Sequence, residues 1–147
     1  SDYQTRFGGI ARLFGQAALD RLQRAHVCVV GLGGVGTWSV EALARSGVGT
    51  LTLVDLDDIC VTNVNRQIHA LDGAIGRSKA GAIAERARSI NPGIVCHQRL
   101  EFFTAANAAE ILAANFDHVI DAIDNVANKS LLIAECRDRG IPIVTCG

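Results

Sequence analysis

Four glycines in the run Gly31-Leu32-Gly33-Gly34-Val35-Gly36 stand between an apolar segment, His26-Val27-Cys28-Val29-Val30, and a helix-forming one, Thr37 to Arg45. A strand, a glycine turn and a helix start in that order make an anion site. Glycine lets the backbone turn tightly and approach a phosphate, and the helix start offers free N–H groups and a positive dipole end. Asp55 closes the next apolar run, Thr50-Leu51-Thr52-Leu53-Val54. A carboxylate about 20 residues beyond the glycines is placed to accept ribose hydroxyls. The chain is therefore expected to bind a nucleotide. Asp57, Asn63, Arg66, Gln67, Lys79, Asp121 and Asp124 follow. Cations, amides and carboxylates on one rim would suit a polyphosphate and its metal ion.

Each of these residues also has an ordinary reading. Asp57 and Asp58 suit a solvated turn, and Asp121 suits a loop tie. Asp124 before Asn125-Val126-Ala127 could N-cap a helix. Lys79 and Arg66 alone would be surface charges. His69, His97 and His118 lack metal-ligand spacing and read as structural or surface residues, and Trp38 as core or interface.

Composition narrows the function classes. With 147 residues the chain suffices for one domain with a core. Its net charge of −1 gives no bulk electrostatic case for nucleic-acid binding, although a local basic patch stays open. No apolar stretch has membrane-spanning length, and no secretory signal opens the sequence. The five cysteines, Cys28, Cys60, Cys96, Cys136 and Cys146, form no C-x-x-C pair. Odd number and irregular spacing point to a reducing cytoplasm rather than a disulfide framework. Catalysis by any of them is not expected.

The elements that must position these residues alternate. The pattern predicts an N-terminal helical arm over 1–24, broken near Gly8-Gly9 and Gly15, and a nucleotide-binding domain over 25–147. Strands are expected at His26–Val30, Thr50–Asp55, Ile94–Leu100, His118–Ala122 and Ile141–Cys146. Helices are expected at Val35–Ser46, Ser78–Ile90, from a Thr104 cap to Asn115, and at Val126–Arg139 before Gly140. Apolar strands with helical crossovers imply an α/β fold. It would be Rossmann-like and doubly wound, with a mainly parallel sheet and helices on both faces. Ligands of such sheets bind beyond the strands' carboxyl ends. The glycine turn, Asp55-Leu56-Asp57-Asp58 and Asp121-Ala122-Ile123-Asp124-Asn125 all fall there.

The ordered motifs resemble the ubiquitin-activating-enzyme-like superfamily, the ThiF, MoeB and HesA proteins. They are Gly31-x-Gly33-Gly34-x-Gly36, Leu53-Val54-Asp55-x-Asp57, Asn63-x-x-Arg66-Gln67, Gly76-x-x-Lys79 and Asp121-x-x-Asp124-Asn125. The resemblance implies an enzyme, usually homodimeric, that adenylates a carboxylate with ATP and Mg²⁺. Asp55, with Asp57 beside it, would hold the ribose, and Gly31, Gly33, Gly34 and Gly36 would approach the phosphates. Asn63, Arg66 and Lys79 would hold the polyphosphate, Gln67 would adjoin them, and Asp124 would hold Mg²⁺. Arg66, Lys79 and Asp124 are thus the expected catalytic residues. The substrate's own carboxylate is the nucleophile, so no side-chain nucleophile is needed.

The opening Arg6-Phe7-Gly8-Gly9-x-x-Arg12-Leu13 and the stretch Thr62-Asn63-x-Asn65-Arg66-Gln67-Ile68-His69-Ala70 are most similar to one branch, the tRNA threonylcarbamoyladenosine dehydratases. That branch implies a tRNA carrying threonylcarbamoyladenosine as substrate and, for some members, a cysteine desulfurase or sulfur-acceptor system as partner. The alternative is an adenylyltransferase acting on the Gly-Gly terminus of a ubiquitin-like sulfur carrier. Those enzymes tend to place an arginine where this chain has Gly9, leaving Arg6 or Arg12 to reach a partner's site. The superfamily also implies further sequence after Gly147, carrying much of the substrate surface. A nicotinamide-dependent dehydrogenase shares the glycine turn and Asp55, but has no use for Asn63, Arg66, Lys79 and Asp124 together.

Overall fold

The computed structural model describes residues 1–147. Five strands form one sheet: β1 (His26–Val30), β2 (Thr50–Val54), β3 (Val95–Arg99), β4 (His118–Asp121) and β5 (Ile143–Thr145). Their order is β3-β2-β1-β4-β5 and every pairing is parallel. The expected α/β, doubly wound architecture is therefore present. β1 lies at the centre, and the order reverses between β1 and β4, the position where such sheets open a crevice.

Two side-chain sets pointing to opposite faces build the core. Val27, Val29, Leu51 and Leu53 pack on one face with Val40 and Ala44 of α3 (Gly36–Arg45) and Ala80, Ile83, Ala84 and Ala87 of α4 (Lys79–Ile90). Cys28, Val30 and Val119 pack on the other with Ile111 of α5 (Ala108–Ile111) and Leu132 and Cys136 of α6 (Val126–Arg139). A central strand buried on both faces needs apolar residues at every position, which is why β1 reads as a run rather than an alternation.

The arm comprises α1 (Asp2–Phe14) and α2 (Gln16–Arg24). Here the structure corrects the expected break at Gly8-Gly9: α1 runs through both glycines and stops only at Gly15, where φ is +91°. Tyr3 and Phe7, on one face of α1, explain the continuity. Phe7 is buried, and the Tyr3 hydroxyl donates to the Gly47 carbonyl at 2.6 Å. That anchorage offsets the roughly 1 kcal/mol each mid-helix glycine costs.

A second correction concerns the helix expected from Thr104 to Asn115. Only the single turn α5 forms. The Asn107 side chain accepts from the Thr104 N–H at 2.8 Å and donates to the Phe102 carbonyl, folding Thr104 into the preceding loop. The remaining elements agree within one residue, except that β5 starts two residues late, at Ile143. α6 has its expected bounds, ended by Gly140 at φ +68°. No helix is long and apolar enough to cross a membrane.

Candidate active site

The glycine turn is closed by contacts only glycine allows. Gly31 has φ +93°, and a Cβ there would lie 2.5 Å from the Ala122 carbonyl oxygen. A Cβ on Gly36 would lie 1.7 Å from the Gly31 carbonyl oxygen, so α3 starts directly against the turn. The N–H groups of Gly33, Gly34, Val35 and Gly36 donate to no acceptor in the protein. Free donors beside a helix start suit an anion, as the spacing implies.

A cavity of about 840 Å³ opens above the carboxyl ends of β1, β2 and β4. Ten of the expected residues line it: Gly31, Gly33, Gly34, Asp55, Asp57, Asn63, Arg66, Gln67, Lys79 and Asp124. Gly36 does not; it packs beneath the turn. Phe102 and Phe103, from the loop after β3, and Asn128, on the first turn of α6, line it too.

Asp55 is buried at the end of β2. One carboxylate oxygen accepts the Leu32 N–H at 2.8 Å, and the other accepts the Asp57 N–H at 2.8 Å. It therefore fixes the glycine turn and the turn after β2 at once. Each oxygen keeps a second lone pair for a ligand hydroxyl.

The stretch Cys60–His69 folds back over α3. Asn63 accepts the Cys60 N–H at 2.8 Å through its side-chain oxygen, which leaves its amide NH₂ without a protein partner. Trp38 is half exposed, and its indole N–H donates to the Arg66 carbonyl at 2.9 Å. The Arg66 guanidinium donates to the Thr62 carbonyl and to Asn65, while its stem lies over Gly34. Gln67 is buried with its side-chain oxygen unpartnered. His69 is buried as well, its Nε2 3.1 Å from the Leu32 carbonyl. Burial, the largest cause, holds its imidazole below its usual pKa.

Lys79 is the first residue of α4, whose N-cap Ser78 accepts from the Gly81 N–H. Its side chain is 9% exposed, and Nζ lies 4.0 Å from the Asp57 carboxylate. On the opposite wall Asp124 is exposed and forms no hydrogen bond in the protein. The helix cap considered for it belongs to Asn125, which accepts from the Asn128 N–H at 3.0 Å. No cluster of three metal-ligating side chains exists. A free carboxylate lining the same cavity as the unpaired N–H groups of Gly33, Gly34 and Val35 does suit Mg²⁺, which binds through one or two carboxylates plus phosphate oxygens and water.

Asp121 corrects the expected rim of carboxylates. It is fully buried, outside the cavity, and pairs with Lys129 Nζ at 2.8 Å. Lys129 also donates to the carbonyls of Ile123 and Cys146, tying the loop that carries Asp124 to β5. Sequence reasoning missed Lys129, Phe102 and Phe103. Arg6 pairs with Asp2 at 2.6 Å, Arg12 is exposed on the last turn of α1, and neither lines the cavity. Burial pushes the Cys28 thiol far up and the Cys136 thiol up to about 11, so both behave as small apolar residues.

Comparison with known proteins agrees with this geometry. The tRNA threonylcarbamoyladenosine dehydratase of Haemophilus influenzae is 51% identical over 146 residues, covering 99% of this chain and 56% of that protein. The crystal structure of Escherichia coli tRNA N6-threonylcarbamoyladenosine dehydratase, TcdA, in complex with ATP superimposes with a TM-score of 0.97 at 52% identity, covering 99% of this chain and 60% of that one. The E. coli molybdopterin-synthase adenylyltransferase is 34% identical over 136 residues, covering 92% of this chain and 54% of that protein. The chain thus spans little more than half the length of the curated relatives it matches. The ThiF family pattern matches residues 8–147, and the chain belongs to the ThiF family.

Proposed function

We propose that this chain forms the ATP-binding part of an enzyme that dehydrates threonylcarbamoyladenosine beside the anticodon of a tRNA. The observation that carries the proposal is the cavity itself. Three unpaired N–H groups of its lining, two cations and a free carboxylate surround a buried strand-end Asp55, and half-identical relatives bear that activity in their names.

In this reading Asp55 accepts the ribose hydroxyls, with Asp57 beside it. The glycine N–H groups, the Asn63 amide, Arg66 and Lys79 hold the triphosphate, and Gln67 adjoins them. Asp124 would hold Mg²⁺, which supplies neutralising charge along the phosphates when bound. The substrate carboxylate forms a bond to the α-phosphorus, and the bond from that phosphorus to the β-bridging oxygen breaks, releasing pyrophosphate. Lys79 and Arg66 stabilise the charge that develops on the leaving phosphates, the largest contribution available to such a site. The substrate's carbamoyl group then attacks the acyl adenylate and AMP departs. A ring closes, and the net loss is one water. An internal nucleophile reacts at high effective concentration, so no cysteine is required.

Residues 1–24 serve as an arm in this reading and 25–147 as the adenylation domain. The active assembly is a cytoplasmic homodimer, with a sulfur-acceptor system as a further partner. The test is mass spectrometry of nucleosides from tRNA incubated with the complete gene product, ATP and Mg²⁺. The modified nucleoside should become one water lighter. An unchanged nucleoside would overturn the proposal. Adenylation of a ubiquitin-like carrier's Gly-Gly terminus instead would assign the carrier reaction.

A further inference from the structure

His69 lines no part of the cavity, yet it is buried 3.1 Å from a carbonyl inside the glycine turn. That carbonyl belongs to Leu32, whose N–H is already held by Asp55 at 2.8 Å. In a trans peptide the carbonyl of one residue and the N–H of the next point in opposite directions. Fastening the Leu32 carbonyl on the buried side therefore turns the Gly33 N–H the other way, toward the cavity that Gly33 lines. That N–H has no acceptor in the protein.

From this geometry we infer that His69 is a positioning residue, which aims the Gly33 N–H at a bound phosphate through the Leu32 carbonyl. The inference rests on the nucleotide reading of the cavity. It requires a ring protonated at Nε2, because only an N–H can donate to a carbonyl. The surroundings agree. Nδ1 is buried with no partner, so it has no acceptor for a second proton. Burial, the largest cause, and the nearby Lys79 disfavour the charged ring, against the opposing effects of the Leu32 hydrogen bond and of Asp55.

The same histidine joins two parts of the site. It ends the stretch that carries Asn63, Arg66 and Gln67. Ile68 N–H reaches Thr37 Oγ1 at 3.4 Å, and that hydroxyl donates to the Gly33 carbonyl. Phosphate donors from the turn and from this stretch are thus held in one frame, which lowers the cost of ordering them on binding.

The test is calorimetric titration of the complete gene product with Mg²⁺-ATP and, separately, with adenosine. Wild type, His69→Leu and His69→Gln are compared. Leucine removes the donor, whereas glutamine keeps an N–H at similar reach. His69→Leu should lose about tenfold in ATP affinity, the worth of one hydrogen bond. Its adenosine affinity should be unchanged, and His69→Gln should recover most of the loss. Equal losses for ATP and adenosine would overturn the inference and leave His69 a packing residue. A wild type that binds ATP no more tightly than adenosine would instead overturn the phosphate-site reading on which it rests. A measurement on wild type alone guards against a leucine variant that does not fold. The ¹⁵N spectrum of the His69 ring should show the Nε2–H tautomer, and an Nδ1–H tautomer would overturn the inference.

Discussion

The two walls of the cavity are built differently. On the β1–β2 wall the framework is already fastened, while the N–H groups of Gly33, Gly34 and Val35 and the Asn63 amide stay free within it. Asp55 holds two backbone N–H groups, His69 meets a carbonyl, and Trp38 and Thr37 tie down the Arg66 stretch. On the β4 wall Asp124 is exposed and unpaired, and one buried ion pair, Lys129 with Asp121, steadies the loop that carries it. In the proposed function the first wall serves as a preformed mould for an anion, and the second presents a charge that would find its partner when ligand and metal arrive. Preorganised dipoles cost no reorganisation during reaction, whereas a solvated carboxylate keeps its freedom until it is used.

The comparison breaks most sharply at Lys129. Lys129→Met leaves Asp121 as an uncompensated buried charge and should destabilise the chain by roughly 3–5 kcal/mol. Denaturant unfolding checks this, and adding Asp121→Asn should restore part of the loss. If Lys129→Met alone unfolds at the wild-type midpoint, the β4 wall has another support.

Lys79 tests the first wall. If it meets charge that grows in the transition state, Lys79→Ala should slow pyrophosphate exchange by about 100-fold or more. ATP affinity should change far less. Steady-state kinetics beside calorimetry separate the two, and equal losses would make Lys79 a ground-state binder. Asp124→Asn tests the opposite wall at its tip. With no hydrogen bond to lose, it should keep the wild-type melting temperature while Mg²⁺-dependent activity falls by roughly tenfold to 100-fold. A lowered melting temperature would show that Asp124 supports the loop instead.

How much of this was legible in the sequence follows from the range of each interaction. Strand, glycine turn and helix start are set by neighbours within ten residues, so β1, the turn and α3 were readable. So was α6, with its Gly140 stop, although its cap is Asn125 rather than Asp124. Gly8-Gly9 misled because the anchors that keep α1 helical, Phe7 in the core and Tyr3 on Gly47, depend on contacts across the fold. Thr104 misled because Asn107, three residues on, captures the loop instead. Asp121 and Lys129 become partners only when α6 packs beside β4, and nothing in their spacing separates a buried pair from two solvated charges.

The smallest expected effect lies between the helices behind the first wall. Glu41 on α3 accepts from Arg86 on α4 at 2.6 Å and from Arg45 at 2.7 Å. The Arg86 hydrogen bond, with help from Arg45, holds its carboxyl below the usual pKa despite burial. A depressed folded-state pKa adds stability at neutral pH, which is lost as pH falls through that value. Glu41→Gln should therefore cost about 1 kcal/mol at pH 7, discounted for the partly exposed arginines. The difference from wild type should vanish below the carboxylate range. A difference that persists in acid would mean that Glu41 acts through packing.

The central claim is that the cavity drives adenylation of a carboxylate on RNA. Exchange of labelled pyrophosphate into ATP tests it most directly, because exchange requires a reversible acyl adenylate. With the complete gene product and Mg²⁺, label should enter ATP when tRNA bearing threonylcarbamoyladenosine is present and stay in pyrophosphate when unmodified tRNA replaces it. Exchange that ignores the modification, or that never occurs while the nucleotide is bound, would contradict the account.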